Sequence, residues 1–281
     1  MNALEIKNLS KSFMGFSLDN LNLTLPSGCI MGLIGENGAG KSTAIKLILN
    51  MLRRDSGSIT ILGRDNEENI ALTKEDVGVV MDEAGIPECL TVSQVGKVMR
   101  YTFKNWNDAE YQRLVKKLSL PDGKPFKEFS RGMKMKLGIA IAMSHGARLL
   151  LLDEPTSGLD PVVRDEVVEM FSDFTRDEEH SVLISSHIVS DLEKLCDFVA
   201  FLHKGKLLLC EEKDELLSEY GIVQCTADQL GAFPSGTVKY KKETPYGIEI
   251  MMRRAEIPEG FKVIPISIEE LFVFMVKEAR S

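Results

Sequence analysis

An α/β fold built on a mostly parallel sheet is predicted by three features of this 281-residue sequence. Nearly continuous apolar segments of strand length, at 29–34, 149–152, 182–185 and 198–202, alternate with segments of helical period. That alternation is expected of strands buried on both faces between crossover helices. A glycine-rich stretch at 35–40 stands between one such strand and a helix, and beyond about residue 212 the pattern breaks into short mixed pieces, read as a small α+β appendage.

Taken in order, residues 4–9 and 16–25 alternate apolar and polar side chains (Phe16, Leu18, Leu21, Leu23, Leu25), as antiparallel strands with one solvated face do. After the buried strand 29–34 and its glycine-rich loop comes a helix carrying Ile45, Ile48, Leu49 and Leu52 on one face. Helical period resumes from about 91 to 120, where Tyr111, Leu114, Val115 and Leu118 form a stripe. Asn107 with Glu110 fits a capping box, and Pro121-Asp122-Gly123 closes the unit. A helix near 133–143 precedes the strand 149–152, and helices near 162–174 and 188–195 precede the strands 182–185 and 198–202. Lys204-Gly205 makes a turn. The appendage reads as strands near 222–226, 238–240 and 248–252 with a helix near 268–277. The domain division expected is 1–211, with a helical subdomain at about 85–145, and 212–281.

Composition excludes several classes. With 44% hydrophobic and 27% charged residues the chain is ordinary globular material. A net charge of −8 argues against nucleic acid as a partner, since phosphate backbones need a basic surface. Five scattered cysteines without a CxxC pair suggest reduced thiols in the cytoplasm rather than disulfides or zinc. The opening Met1-Asn2-Ala3-Leu4 has no basic region before an apolar run, so no signal peptide is expected. No apolar run approaches the roughly 18–20 residues of a membrane span, so any membrane role is expected to come through a partner.

The chemistry begins at Gly35-Glu36-Asn37-Gly38-Ala39-Gly40-Lys41-Ser42-Thr43, a full match to the phosphate-loop pattern. Backbone N–H groups of Gly35, Asn37, Gly38, Ala39 and Gly40 are expected to close around phosphate oxygens, helped by the N-terminus of the following helix. Lys41 is placed to bridge the β and γ phosphates, Ser42 to ligate Mg²⁺ and Thr43 to bond the α-phosphate of ATP. The apolar strand 149–152 ends in Asp153 and Glu154. A carboxylate at the tip of a buried strand is costly unless a cation meets it. Asp153 is the expected metal-side acid, and Glu154 is expected to face the water that attacks the γ-phosphate.

Those two motifs define a P-loop NTPase. Phe129-Ser130-Arg131-Gly132-Met133 resembles the LSGGQ signature of ABC (ATP-binding cassette) ATPases and lies some twenty residues before Asp153. Thr156-Ser157-Gly158-Leu159-Asp160 resembles that family's dimer loop, and Ser185-Ser186-His187 its switch histidine. The resemblance, spanning 4 to about 210, implies a RecA-like parallel core, an antiparallel β subdomain and a helical subdomain. It implies catalysis by Glu154 and His187, adenine stacking on Phe13, a dimer-interface role for Asp160, and contact of Ser130, Arg131 and Gly132 with ATP held by a second ATPase subunit, identical or not. It further implies a separately encoded polytopic membrane subunit, with this chain peripheral on the inner face of the membrane. His145, His180 and His203 match no pattern and read as surface or structural residues.

The sequence departs from the family at three points. Asp82 stands where Gln is usual near Mg²⁺, Arg131 replaces the signature's first Gly, and Met133 its Gln. Ser130, Gly132, Lys41, Glu154 and His187 are retained, so hydrolysis is expected. Asn105-Trp106-Asn107-Asp108, the signature variant and the short tail resemble ATPases of bacterial ABC-2-type exporters, many of which handle antibiotics, bacteriocins or envelope stress. A soluble ABC-type ATPase acting without a membrane partner is the alternative. A single cassette without a long coiled-coil insertion or a basic stripe weighs against it. The retained Glu154 and His187 weigh against a module that holds ATP without cleaving it.

Overall fold

The computed structural model describes residues 1–68, 70–81, 85–234, 236–238, 240–245 and 247–279, and of 70–72 the backbone alone. The alternating N-terminal segments form β1 (Asn2–Phe13) and β2 (Phe16–Pro26), an antiparallel hairpin. The buried run that follows is β3 (Ile30–Gly35), every residue of it buried, and the glycine-rich loop leads into α1 (Lys41–Ile48). α1 is shorter than its periodicity suggests. Leu49 is already its C-cap and Asn50 takes φ 53°, so Leu52 packs from beyond the helix. Next come β4 (Ser56–Ile61), β5 (Arg64–Asp65), α2 (Ile70–Glu75) and β6 (Val77–Val80).

The helical region holds α3 (Val92–Thr102), α4 (Asp108–Lys117) and α5 (Arg131–Ala142). Asn107 caps α4 by accepting from Glu110 N at 3.0 Å, but the Glu110 carboxylate is held by Arg113 at 2.6 and 2.7 Å. The complete capping box forms instead at Thr91 and Gln94. Tyr111 is fully buried and its hydroxyl donates to Val92 O at 2.8 Å, tying α4 to α3. The remaining crossovers are β7 (Leu149–Asp153), α6 (Pro161–Phe174), β8 (Ser181–Ser186), α7 (Val189–Leu195), β9 (Phe198–His203) and β10 (Lys206–Glu212).

Strands pair in the order β10-β9-β3-β8-β7-β6, all neighbours parallel except β10 with β9. A second sheet, β2-β1-β4-β5, is antiparallel and packs on one face with α1 between. Leu149 to Leu152 are 0% exposed, which explains an unbroken apolar run, since each side chain removed from water stabilises by about 1.5–3 kcal/mol.

The C-terminal residues add α8 (Lys213–Glu219), β11 (Tyr220–Cys225), β12 (Tyr240–Thr244), β13 (Gly247–Arg253), β14 (Val263–Ile264) and α9 (Ile268–Glu278). Their antiparallel sheet runs β12-β13-β11-β14. It has a small core of its own around Val223, Phe233 and Ile250. α9 joins the main core, where Phe272 meets Phe201 of β9 edge-on at 5.3 Å. No helix among the described residues is long and apolar enough to cross a membrane. All five cysteines are free thiols.

Candidate active site

The C-terminal ends of β3, β7 and β8 lie side by side, so the loops that leave them open at one edge of the parallel sheet. Ligands bind in such crevices because helix N-termini and strand-end side chains converge there. A cavity of about 790 Å³ occupies this edge, lined by the phosphate loop from Glu36 to Thr43 together with Glu154 and His187.

Gly40 is the N-cap of α1 with φ 111° and carries no capping side chain. A Cβ there would meet the Phe16 ring at 2.8 Å, so only glycine allows both the turn and the packing. The first-turn N–H groups of a helix have no partner within it and favour an anion. Lys41 is 6% exposed, and its ammonium donates to Gly35 O at 2.7 Å and to Glu36 O at 3.4 Å. It also stands 3.3 Å from Glu154 Oε1.

Glu154 adopts φ 52°, a left-handed conformation that costs a non-glycine residue of order 1–3 kcal/mol. Its N–H is shared between Ser185 O and Ser185 Oγ, each at 3.1 Å, which holds the strained turn in place. The other carboxylate oxygen, Oε2, is 2.6 Å from His187 Nδ1 and accepts from His187 N at 3.3 Å. One carboxylate is thus gripped from two sides, by an ammonium and an imidazole. Asp153 is buried, and Ser185 Oγ donates to its Oδ1 at 2.6 Å. Ser185 therefore orients both acids, a role that no pattern in the sequence reveals beyond a hydroxyl inside an apolar strand.

The predicted residues do not all converge. Gly38, Ala39, Gly40, Lys41, Ser42, Thr43, Asn37, Glu154 and His187 line the cavity. Gly35 sits beneath it, where a Cβ would be 2.6 Å from Leu202 O, so the loop lies tight on β9. Phe13 is outside the lining, 43% exposed, with its ring 6.4 Å from that of Phe16; Gly15 and Phe16 are the hairpin residues at the cavity. Alternation along a strand pair does not say which aromatic ring turns toward the loop.

Ser130 caps α5, its hydroxyl accepting from Met133 N at 3.2 Å, and Gly132 packs near Gly158 O and Leu159. Of the three signature residues, Arg131 alone lines this chain's own cavity, alongside Ser157 of the dimer-loop motif. Asp160 caps α6, its Oδ1 accepting from Val163 N at 3.1 Å. Asp82 lies outside the described residues. Among those described, no three His, Cys, Asp or Glu side chains gather as a metal cage.

The family profile described as ABC transporter matches residues 18–157. The chain is 38% identical over 214 residues to a lantibiotic transport ATP-binding protein of Streptococcus pyogenes, covering 75% of this chain and 91% of that one. It is 30% identical over 296 residues to an uncharacterised ABC transporter ATP-binding protein of Bacillus subtilis, covering 99% and 97%. It is 32% identical over 208 residues to a bacitracin transport ATP-binding protein of Enterococcus faecalis, covering 73% and 68%. Among solved structures, an ATP-binding subunit of an ABC transporter superposes with TM-score 0.67 at 27% identity, over 76% of this chain and 91% of that one. A dimeric ATP-binding cassette in a post-hydrolysis state with ADP and phosphate superposes with TM-score 0.67 at 19% identity, over 75% and 98%, a likeness of fold.

Proposed function

This chain belongs to the ABC transporter family as an ATP-binding, ATP-hydrolysing subunit, and on that basis we propose that it powers an ABC-2-type exporter whose polytopic membrane subunit is a separate polypeptide. Two such chains closing on two ATP molecules would transmit the stroke. The observation that carries the reading is the single cavity in which the phosphate loop, Glu154 and His187 meet. Relatives named for lantibiotic and bacitracin transport support a drug or peptide substrate class. The absence of a spanning helix among the described residues agrees with a peripheral position on the membrane's inner face.

Each residue's work follows from its contacts. Lys41, now on Gly35 O, has its ammonium at the centre of the loop and would transfer it to the β and γ phosphates, a charge-assisted contact stronger than the carbonyl one. Glu154 would orient the attacking water and draw its proton, with His187 keeping the carboxylate on the γ-phosphate side. The donors present suit Mg²⁺. Ser42 lines the cavity, and buried Asp153 has one oxygen committed to Ser185 and a second to offer, while Mg²⁺ commonly takes only one or two protein oxygens beside phosphates and water. When bound, the ion would offset phosphate charge. In the assembled dimer, Ser130, Arg131 and Gly132 would face the partner's nucleotide and Asp160 the interface. Residues 1–211 would form the ATPase unit, and 212–281 a C-terminal subdomain docked on it.

The test is co-purification. Tagged chain recovered from detergent-solubilised membranes of its own cells should bring down one integral protein with about six predicted spans. Recovery wholly in the soluble fraction with no integral partner, at undiminished ATP turnover, would favour the alternative of a soluble ATPase.

A further inference from the structure

Glu36 raises a problem that the mechanism leaves open: it puts a carboxylate inside a loop shaped to hold a triphosphate. Its side chain is half-exposed at the cavity, one residue from the Gly35 carbonyl that Lys41 bonds. An anion so near the phosphate path repels the ligand unless it is held aside. The structure supplies a group for that task. His203, the last residue of β9, is 5% exposed, and its Nδ1 stands 3.2 Å from Glu36 Oε2. Among the described residues no aligned hydrogen bond reaches that buried nitrogen, so the facing carboxylate is what meets it. Two residues on, Gly205 N donates to Ala39 O at 2.9 Å, so the turn between β9 and β10 grips the phosphate loop at two points.

We propose that His203 is a positioning residue for nucleotide binding, holding the Glu36 carboxylate against the β9 end and out of the path of the ATP phosphates. The contact joins side chains at the shared C-terminal end of the neighbouring parallel strands β3 and β9, where Gly35 pairs with Leu202, so it depends on the sheet and not on local sequence. Its role rests on the cavity being the ATP site, as read above. It differs from a packing role in one consequence: the harm done by losing His203 comes from the charge on Glu36.

The experiment is calorimetric titration of ATP, with chelator present to prevent turnover, into the full chain and four variants. His203→Ala should weaken ATP binding about three- to tenfold, the size of a one-charge interaction across several ångströms near a surface. AMP, carrying less charge at the loop, should lose less. His203→Asn, whose amide N–H can face the carboxylate, should stay near wild type. Glu36→Gln alone should bind ATP at least as tightly as wild type, and adding it to His203→Ala should restore the affinity. Unchanged ATP affinity in His203→Ala overturns the proposal, as does a folded double variant that is as weak as the single one. Weaker binding by Glu36→Gln alone overturns it even if His203→Ala fails to fold. Lys41→Ala run in parallel tests the site itself: if it binds ATP like wild type, the cavity reading fails, independently of His203.

Discussion

Ser185 shows how much of this site rests on one hydroxyl. It donates to Asp153 Oδ1 at 2.6 Å and accepts from Glu154 N at 3.1 Å, on a residue that is itself fully buried. Removing the hydroxyl leaves a buried Asp153 carboxylate oxygen short of that partner, at a cost of about 1–3 kcal/mol, and leaves the strained Glu154 N–H with the Ser185 carbonyl in place of two acceptors. Ser185→Ala should therefore lower the melting temperature and reduce turnover about tenfold, equivalent to about 1.4 kcal/mol in the barrier. ATP binding, which on the proposed reading rests on the loop around Lys41, should change little. Steady-state hydrolysis and calorimetry on the same preparation check this, and wild-type turnover would contradict it. Nothing in the sequence distinguishes Ser185 from any serine ending a strand, because its role depends on the register of β8 against β7. The placement of Lys41 and Glu154 at one cavity, by contrast, is legible in their spacing from glycines and from an apolar run. Phe13 and Phe16 fall between these cases, as two aromatics flanking one turn differ only in which way the hairpin twists.

At the scale of elements, the strands of the parallel sheet are readable in sequence wherever a strand is buried on both faces, as β3, β7 and β8 are, whereas their order in the sheet is not. Helix ends were less so. α1 stops at Ile48 because Asn50 turns left-handed, while the apolar spacing continues to Leu52. The histidine after α5 matches no sequence pattern, and it is structural. His145 is 1% exposed, stacks on Phe103 with ring centroids 4.0 Å apart and has Nδ1 3.1 Å from Glu75 O. Burial is the main force pushing its pKa below the ordinary histidine value. The unfolded chain then takes up the proton at higher pH than the folded one. Stability is full above the ordinary value and is lost as pH falls through it toward the lowered one. Thermal melts from pH 7.5 to 5 should show this decline, and His145→Gln should lower the melting temperature but flatten its pH dependence. Parallel curves for the two proteins would contradict the assignment.

Across the whole molecule, the C-terminal segment is tied to the site's own machinery. α9 packs on α7, the helix that follows His187. Ile268 N donates to Glu193 Oε1 at 3.3 Å and Lys213 Nζ to Glu193 O at 3.0 Å. That union was invisible in sequence, since it joins residues 75 positions apart in a region that reads as an appendage. On the proposed function the Lys41–Glu154–His187 cluster is where ATP is cleaved, and one substitution addresses it. Glu154→Gln keeps the side chain's size and a hydrogen-bonding oxygen but removes the charge that, on the proposed reading, orients and deprotonates water. Turnover of Mg-ATP by the purified variant should fall at least a hundredfold while ATP still binds, and ATP should shift the protein to a two-chain species in size exclusion. Hydrolysis by Glu154→Gln at the wild-type rate would contradict the account.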